Sequence, residues 1–224
     1  MRLSHTPQDR KLLEWMVKRD DFTSKAFAEK LLPSAVRLHE TTLVKFLLGT
    51  GMDANIPFTG LNDRLLWVAT ESMIETDRIN LFTVLIEAGA DVNISRPHPY
   101  KESLLMYSVR IRQLALTRLL LHRGAKMDFH TTDGKSVLHT AAASGDMESI
   151  YLLTKHDTHL FRKMLHKGCP TPMEIAACMG NIQMVQWFLQ YGADVNPSGL
   201  DGYGSPLSAA ARSGILTLSI FYCR

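Results

Sequence analysis

Pairs of short amphipathic helices dominate the pattern of hydrophobic and polar positions along the chain. The stretch Thr171–Asn196 shows such a pair most completely. It begins with Thr171, a hydroxyl that can cap a helix, and Pro172, which suits the first helical position, and its first half ends at Gly180. In the second half the apolar residues have helical spacing, and these are Ile182, Val185, Phe188 and Leu189. Because so short a pair cannot bury its own apolar faces, the pattern predicts further copies on either side.

The same pattern recurs along most of the chain. Four helix starts are 33, 35 and 34 positions apart, and they lie at Ser103, Ser136, Thr171 and Ser205. We therefore assign copies to residues 33–60, 61–98, 99–131, 132–165, 166–200 and 201–224, the last of them incomplete. Residues 1–32 do not match the pattern and predict an N-terminal helical cap over the first copy.

Three irregular features are predicted within this scheme. A helix over Phe22–Leu32 is expected to end before Pro33, where the first copy begins. The link Glu71–Asn80, between the two helices of the second copy, is longer than the equivalent links in later copies. The fourth copy has Asp157 where the other copies have a glycine.

The repeat resembles the ankyrin repeat, which has the signature T-P-L-H-x-A-A followed by an apolar helix and G-A-D-V-N. The matching segments are Ser136–Ala142, Thr171–Ala177 and Ser205–Ala211, together with Gly89–Asn93 and Gly192–Asn196. The tetratricopeptide repeat has the same period but lacks the G-A-D-V-N turn and the paired alanines. The resemblance implies an all-α fold, an ankyrin-repeat solenoid of stacked helix–turn–helix units with β-hairpin finger loops between the copies.

The resemblance also implies a binding protein and not an enzyme. Ankyrin-like arrays bind protein partners on a concave face made by the finger loops and the exposed ends of the first helices. By position in the repeat, the residues expected to face a partner are Tyr100, Lys101, Arg110, Lys135, Ser144, Lys167, Met179, Tyr203 and Arg212. The alternative is that the chain is the targeting or substrate-recruiting part of a larger protein or complex, truncated here.

The sequence contains no motif that would carry catalysis or hold a cofactor. Nucleophile elbows, phosphate-binding glycine loops and H-E-x-x-H motifs are all absent. His139 stands at the histidine position of the family signature, so the resemblance implies that it bonds to the local backbone. The spacing of His156, His159, His166 and Cys169 would suit zinc, but structural zinc sites usually have closely paired cysteines. A histidine-rich exposed loop is therefore favoured over a metal site.

Composition predicts an intracellular, soluble protein without separating cytoplasm from nucleus. The chain of 224 residues has only three cysteines, and it has neither a signal peptide nor an apolar run long enough to span a bilayer. The net charge of +3 is small, and basic clusters at 110–126 and 162–167 lack interleaved aromatic residues. We therefore expect neither nucleic acid nor a membrane as a partner.

The last ten residues depart from the repeat pattern. Ile215–Arg224 is apolar and aromatic, whereas an array normally ends in a polar capping repeat. From this ending we expect that the chain is a fragment, a splice variant or the product of an incorrectly predicted gene end, or that its apolar end pairs with another surface. Without such pairing we expect a monomer.

Overall fold

The fold is built from short helices joined by tight turns, as shown by a computed structural model that describes residues 22–56, 64–71, 74–96, 101–157, 170–194 and 205–212. Within these residues the chain is helical apart from turns and isolated bridge residues. The predicted all-α fold of paired helices is confirmed. The chain divides into two compact units, Met1–Ile94 and Ser95–Arg224.

The first unit has two helical layers. Helices α1 (Phe22–Arg37) and α3 (Leu65–Ala69) contact each other in one layer, and α2 (Thr41–Gly49) and α4 (Glu75–Glu87) contact each other in the second. Helix α1 also packs on α2, and α3 packs on α4, so that successive helix pairs lie side by side. The fully buried side chains include Leu32, Val36, Val44, Leu47, Leu65, Leu81, Phe82 and Leu85.

The prediction that a helix ends at Leu32 is wrong, because α1 continues through Pro33 to Arg37. A proline within a helix removes one backbone hydrogen bond and normally bends or ends the helix. Here Leu32, Ala35 and Val36 are buried on either side of the proline, and their burial stabilises the continuous helix. The boundaries assigned above to the cap and to the copies stay predictions.

The long link predicted at Glu71–Asn80 is largely helix, because α4 begins at Glu75. Its first turn contains Glu75 and Asp77, whose negative charges interact favourably with the positive end of the helix dipole. The additional residues of this copy therefore lengthen its second helix.

A side chain joins two equivalent turns of the first unit. The amide of Asn55 donates a hydrogen bond of 2.9 Å to the carbonyl of Gly89, which lies 34 residues further along the chain. The side-chain oxygen Oδ1 of Asn55 accepts a bond of 2.8 Å from the backbone N–H of Asp91. Successive copies are thus connected by polar contacts as well as by packing of their helices.

The second unit contains three helix pairs and a further first helix among its described residues. The helices are α5 (Leu104–Arg110), α6 (Leu114–His122), α7 (Val137–Ser144), α8 (Met147–His156), α9 (Pro172–Cys178), α10 (Ile182–Gln190) and α11 (Pro206–Arg212). Helices α5, α7, α9 and α11 contact one another in succession and form the first-helix layer. Helices α6, α8 and α10 each pack on the helix before them and form the second-helix layer.

The helix ends around α9 have the chemistry predicted from the sequence. Thr171 accepts a hydrogen bond of 3.1 Å from the backbone N–H of Glu174, and Pro172 is the first residue of α9. Gly180 has a φ of 70°, in the left-handed region that favours glycine. Asn181 then caps α10 by accepting a bond of 3.1 Å from Met184.

Two of the predicted finger loops can be followed in part. Ser95 and Ser103 form an antiparallel bridge, and the N–H of Arg96 donates a 2.8 Å bond to the carbonyl of Glu102. In the next finger the N–H of Thr131 donates a 2.9 Å bond to the carbonyl of Lys135. The tips of the other predicted fingers lie outside the described residues.

Replacing Ala176 with leucine is expected to lower the free energy of unfolding by about 1–3 kcal/mol. Ala176 is fully buried on α9, which packs against both α7 and α11, so a larger side chain must push helices apart. Urea unfolding followed by circular dichroism measures the change. Ala211→Leu, at an exposed position of α11, is the matched control and should change the free energy by at most about 0.5 kcal/mol. Equal losses in the two variants would contradict the assignment of a tightly packed helix layer.

Candidate partner-binding groove

An open groove of about 460 Å³ lies between α9 and α11 in the first-helix layer. It is lined by Pro170, Glu174, Ile175, Cys178, Met179, Ala209 and Arg212. The structure therefore brings together Met179 and Arg212, two of the residues that the sequence predicted to face a partner. Which residues of the chain contact a partner stays a prediction.

The ends of the two helices position the side chains at the edge of the groove. Helix α9 ends at Cys178, and the backbone N–H of Met179 closes its last turn with a 2.9 Å bond to the carbonyl of Ile175. The Met179 side chain is 62% exposed, an unusual degree for a large apolar residue. Arg212 is the last residue of α11 and is also exposed. The edge thus combines an adaptable apolar side chain with a cation.

A buried carboxylate forms part of the groove wall. Glu174 is only 2% exposed, and one of its oxygens, Oε2, accepts a hydrogen bond from the backbone N–H of Thr171. The other oxygen, Oε1, is buried and has no hydrogen-bond partner among the described residues. Leaving a buried acceptor without a partner is unfavourable. The sequence analysis missed this feature, although the signal was visible as a glutamate at the histidine position of the repeat signature.

His139 shows what the equivalent position does in the preceding copy. Its Nδ1 accepts a 3.0 Å hydrogen bond from the backbone N–H of Ser136 and lies 2.7 Å from the Ser136 hydroxyl. The backbone carbonyl of Pro170, a residue of the groove, favours the protonated form of the ring. Burial lowers the His139 pKa from 6.5 to about 4, and the nearby His130 acts in the same direction. The expected bonding of His139 to the local backbone is confirmed.

Arg110, another residue predicted to face a partner, is held by its own finger loop. Its guanidinium forms two hydrogen bonds to the carboxylate of Glu102, at 2.7 and 3.1 Å, and lies 5.3 Å from the ring centre of Tyr107. The bond to Glu102 raises the pKa of Arg110. Such a paired arrangement fixes the side chain in one geometry.

The other predicted residues differ in how they are placed. Lys135 forms an exposed 2.8 Å ion pair with Asp133, and this bond lowers the Asp133 pKa. The hydroxyl of Ser144 donates a 3.0 Å bond to the carbonyl of Ala141 in its own helix. Lys101 is exposed, with a φ of 37°. Three predicted residues, Tyr100, Lys167 and Tyr203, lie outside the described residues.

The metal hypothesis can be followed only at His156, which is exposed at the end of α8. His159, His166 and Cys169 lie outside the described residues. Within the described part of the chain, His, Cys, Asp and Glu side chains form no cluster suited to a metal ion. None of the helices described for this chain has the length and apolar character needed to cross a membrane.

Residues 105–199 match the family model for ankyrin repeats, as three copies. A fowlpox virus protein described as an ankyrin repeat protein is 27% identical over 130 residues, which is 58% of this chain and 29% of that protein. Human transient receptor potential cation channel subfamily A member 1 is 25% identical over 173 residues, or 74% of this chain and 15% of the channel. The chain therefore spans less than a third of the length of either curated relative.

A solved structure shows the same fold. The crystal structure of the human ASB11 ankyrin repeat domain aligns with a TM-score of 0.62 at 23% sequence identity, over 85% of this chain and 82% of that domain. This similarity covers helices before residue 105 as well as those within the family match. The repeat period and the capped helix pairs agree with the family match, and the packing of the helices agrees with the fold of the solved structure. Residues 105–199 are ankyrin repeats, and the chain has the fold of an ankyrin repeat domain.

Proposed function

We propose that the chain binds a protein partner at the groove between α9 and α11, with Met179 and Arg212 as the anchoring side chains. Ankyrin repeats are protein–protein interaction modules and are generally not catalytic. The observation that carries the proposal is the groove itself, which joins an exposed apolar side chain and a cation on adjacent first helices. Its volume of about 460 Å³ is in the range of pockets that hold a ligand group.

The lining of the groove indicates what kind of group it would accept. Ile175, Met179 and Ala209 present apolar surface, which favours an aliphatic or aromatic side chain. Arg212 adds a guanidinium that can pair with a carboxylate. The proposed ligand is a partner segment in which an apolar side chain lies next to an aspartate or glutamate.

The fixed ion pairs of the finger loops support the same function in a secondary way. Two ion pairs hold charged groups in defined positions on two successive loops, one between Arg110 and Glu102 and the other between Lys135 and Asp133. Because these side chains are already ordered, binding a partner there loses less conformational entropy. Exposed ion pairs contribute little affinity by themselves, so we expect them to affect the choice of partner more than the strength of binding.

The alternative function, recruitment for a larger protein or complex, is compatible with the same groove. Both curated relatives are several times longer than the stretch they have in common with this chain. A groove that binds a protein segment would then select the substrate or target of the larger assembly. This alternative stays a prediction.

Replacing Met179 and Arg212 together with alanine is expected to weaken partner binding by about 10- to 100-fold, the effect of losing central interface anchors. The partner is first identified by affinity purification from the native cell, and its affinity for purified wild-type and variant chains is then measured by calorimetry. Lys45→Ala, at an exposed position of α2 in the other unit, is the matched control and should leave the affinity unchanged. Undiminished affinity of a correctly folded double variant would refute the groove as the binding site.

A further inference from the structure

A second exposed surface combines cations and aromatic rings on the second-helix layer. We name it the outer patch, formed by Arg118, His122, Tyr151, Lys155, Trp187 and Tyr191. None of these residues lines the groove between α9 and α11. The spacing of four residues places Arg118 with His122 on one side of α6, and Tyr151 with Lys155 on one side of α8.

The aromatic part of the outer patch is exposed yet well ordered. Tyr151 is 52% exposed and Tyr191 is 57% exposed, while the indole of Trp187 is buried between them. The Trp187 ring stacks on Tyr191 with 4.3 Å between centroids and meets Tyr151 edge-on at 5.9 Å. These contacts hold the tyrosine rings in place, so binding on them would need little further ordering.

The charge of the outer patch has one sign. Helices α6, α8 and α10 contain a single acidic residue, Glu148, which lies in the first turn of α8 and away from Lys155 in its last turn. The side chains of Arg118 and Lys155 are exposed and form no ion pair with any described residue.

Helix stability accounts for only part of this arrangement. A cation in the last turn of a helix interacts favourably with the helix dipole, and this explains Lys155. Arg118 lies in the middle of α6, where the dipole gives no such benefit. Tyrosine and arginine are, in addition, enriched at protein interfaces.

We propose that the outer patch is a docking site for an acidic segment of a protein partner. Carboxylates of the segment pair with Arg118 and Lys155, and its apolar side chains lie on the rings of Tyr151 and Tyr191. This site is additional to the groove, so a chain with both surfaces can contact two protein segments at once. A nucleic acid strand would use the same charges and rings, but a protein ligand agrees better with an array of ankyrin repeats.

The test uses the full chain and a fluorescein-labelled peptide of repeated Glu-Glu-Leu units, with binding followed by fluorescence anisotropy at low and physiological salt. We expect binding that weakens with salt, and a further loss of about tenfold when glutamine replaces glutamate in the peptide. Arg118→Glu combined with Lys155→Glu should weaken binding by about tenfold or more. Tyr151→Ala combined with Tyr191→Ala should also weaken it, by about five- to tenfold.

Matched variants separate this proposal from the function proposed for the groove. Because a peptide of glutamate and leucine also suits the groove, each outer-patch variant is made in a chain that already carries Met179→Ala and Arg212→Ala. Peptide binding that remains in this groove variant, and that is lost with the outer-patch substitutions, belongs to the outer patch. If the charge-reversed variant does not fold, Arg118→Gln combined with Lys155→Gln provides a milder change at the same positions. Equal binding by the groove variant with and without the charge substitutions would overturn the proposal, and so would tighter binding of an oligothymidylate with the same number of charges.

Discussion

Lowering the pH from 7 to 4 is expected to reduce the free energy of unfolding by roughly 3 kcal/mol through His139 alone. Its pKa is about 4 in the folded chain, against 6.5 in a solvated histidine. Below pH 6.5 the unfolded chain therefore binds a proton that the folded chain does not, and protonation favours unfolding. The loss of unfolding free energy through His139 is small above about pH 6.5, grows as the pH falls below that value, and is nearly complete near pH 4.

Urea unfolding at a series of pH values between 4 and 7 measures this effect, with His139→Gln as the diagnostic variant. The variant should be less stable than wild type at pH 7, because it loses the hydrogen bond that the buried ring accepts from the backbone N–H of Ser136. Its stability should nevertheless depend less on pH. His122→Gln, at an exposed position of α6, is the matched control for loss of a histidine. If His139→Gln retains the full pH dependence of wild type, another group is responsible.

Replacing Phe188 with alanine is expected to lower the free energy of unfolding by about 3–5 kcal/mol. Phe188 is fully buried on α10 and is among the largest buried side chains described. Its ring also meets Trp187 edge-on, with 5.6 Å between centroids. The substitution removes the apolar burial and this ring contact, and it leaves a cavity that the rigid helix pair fills only in part.

Chemical denaturation gives the free energy directly, and Tyr191→Ala provides the comparison on the same helical segment. Tyr191 is 57% exposed and loses mainly its stacking on Trp187, so about 1 kcal/mol is expected there. A loss at Phe188 no larger than the loss at Tyr191 would show that α10 is not packed as described. A change in how steeply the free energy of unfolding falls with denaturant concentration would instead indicate that the variant no longer unfolds as one unit.

Much of the local structure could be predicted because short-range chemistry decides it. A hydroxyl before a proline specifies the start of α9 at Pro172, and a glycine that adopts positive φ specifies the turn at Gly180. Pro33 shows where such rules fail. The local preference of proline against a helix interior is outweighed by burial of Leu32 and Val36, which depends on neighbours distant in sequence.

The candidate sites depend still more on contacts between copies. Repeat position alone predicted that Met179 and Arg212 face a partner, but the groove that both residues line exists only because α9 and α11 pack together. Repeat position could not reveal that Glu102 already pairs with Arg110, since that geometry depends on the fold of the finger loop. Nor could it place Tyr151 beside Trp187, because these residues belong to the second helices of different copies.

The unpaired oxygen of Glu174 has a consequence for how the groove responds to a ligand. At the equivalent position of the preceding copy, Nδ1 of His139 accepts a hydrogen bond of 3.0 Å from the backbone N–H of Ser136. Glu174 accepts the corresponding bond from Thr171 through Oε2, and its Oε1 stays a buried acceptor without a partner among the described residues. A ligand N–H or O–H group that reaches this oxygen would remove an unfavourable buried acceptor, so we expect the groove to favour partner segments that carry a donor at that point.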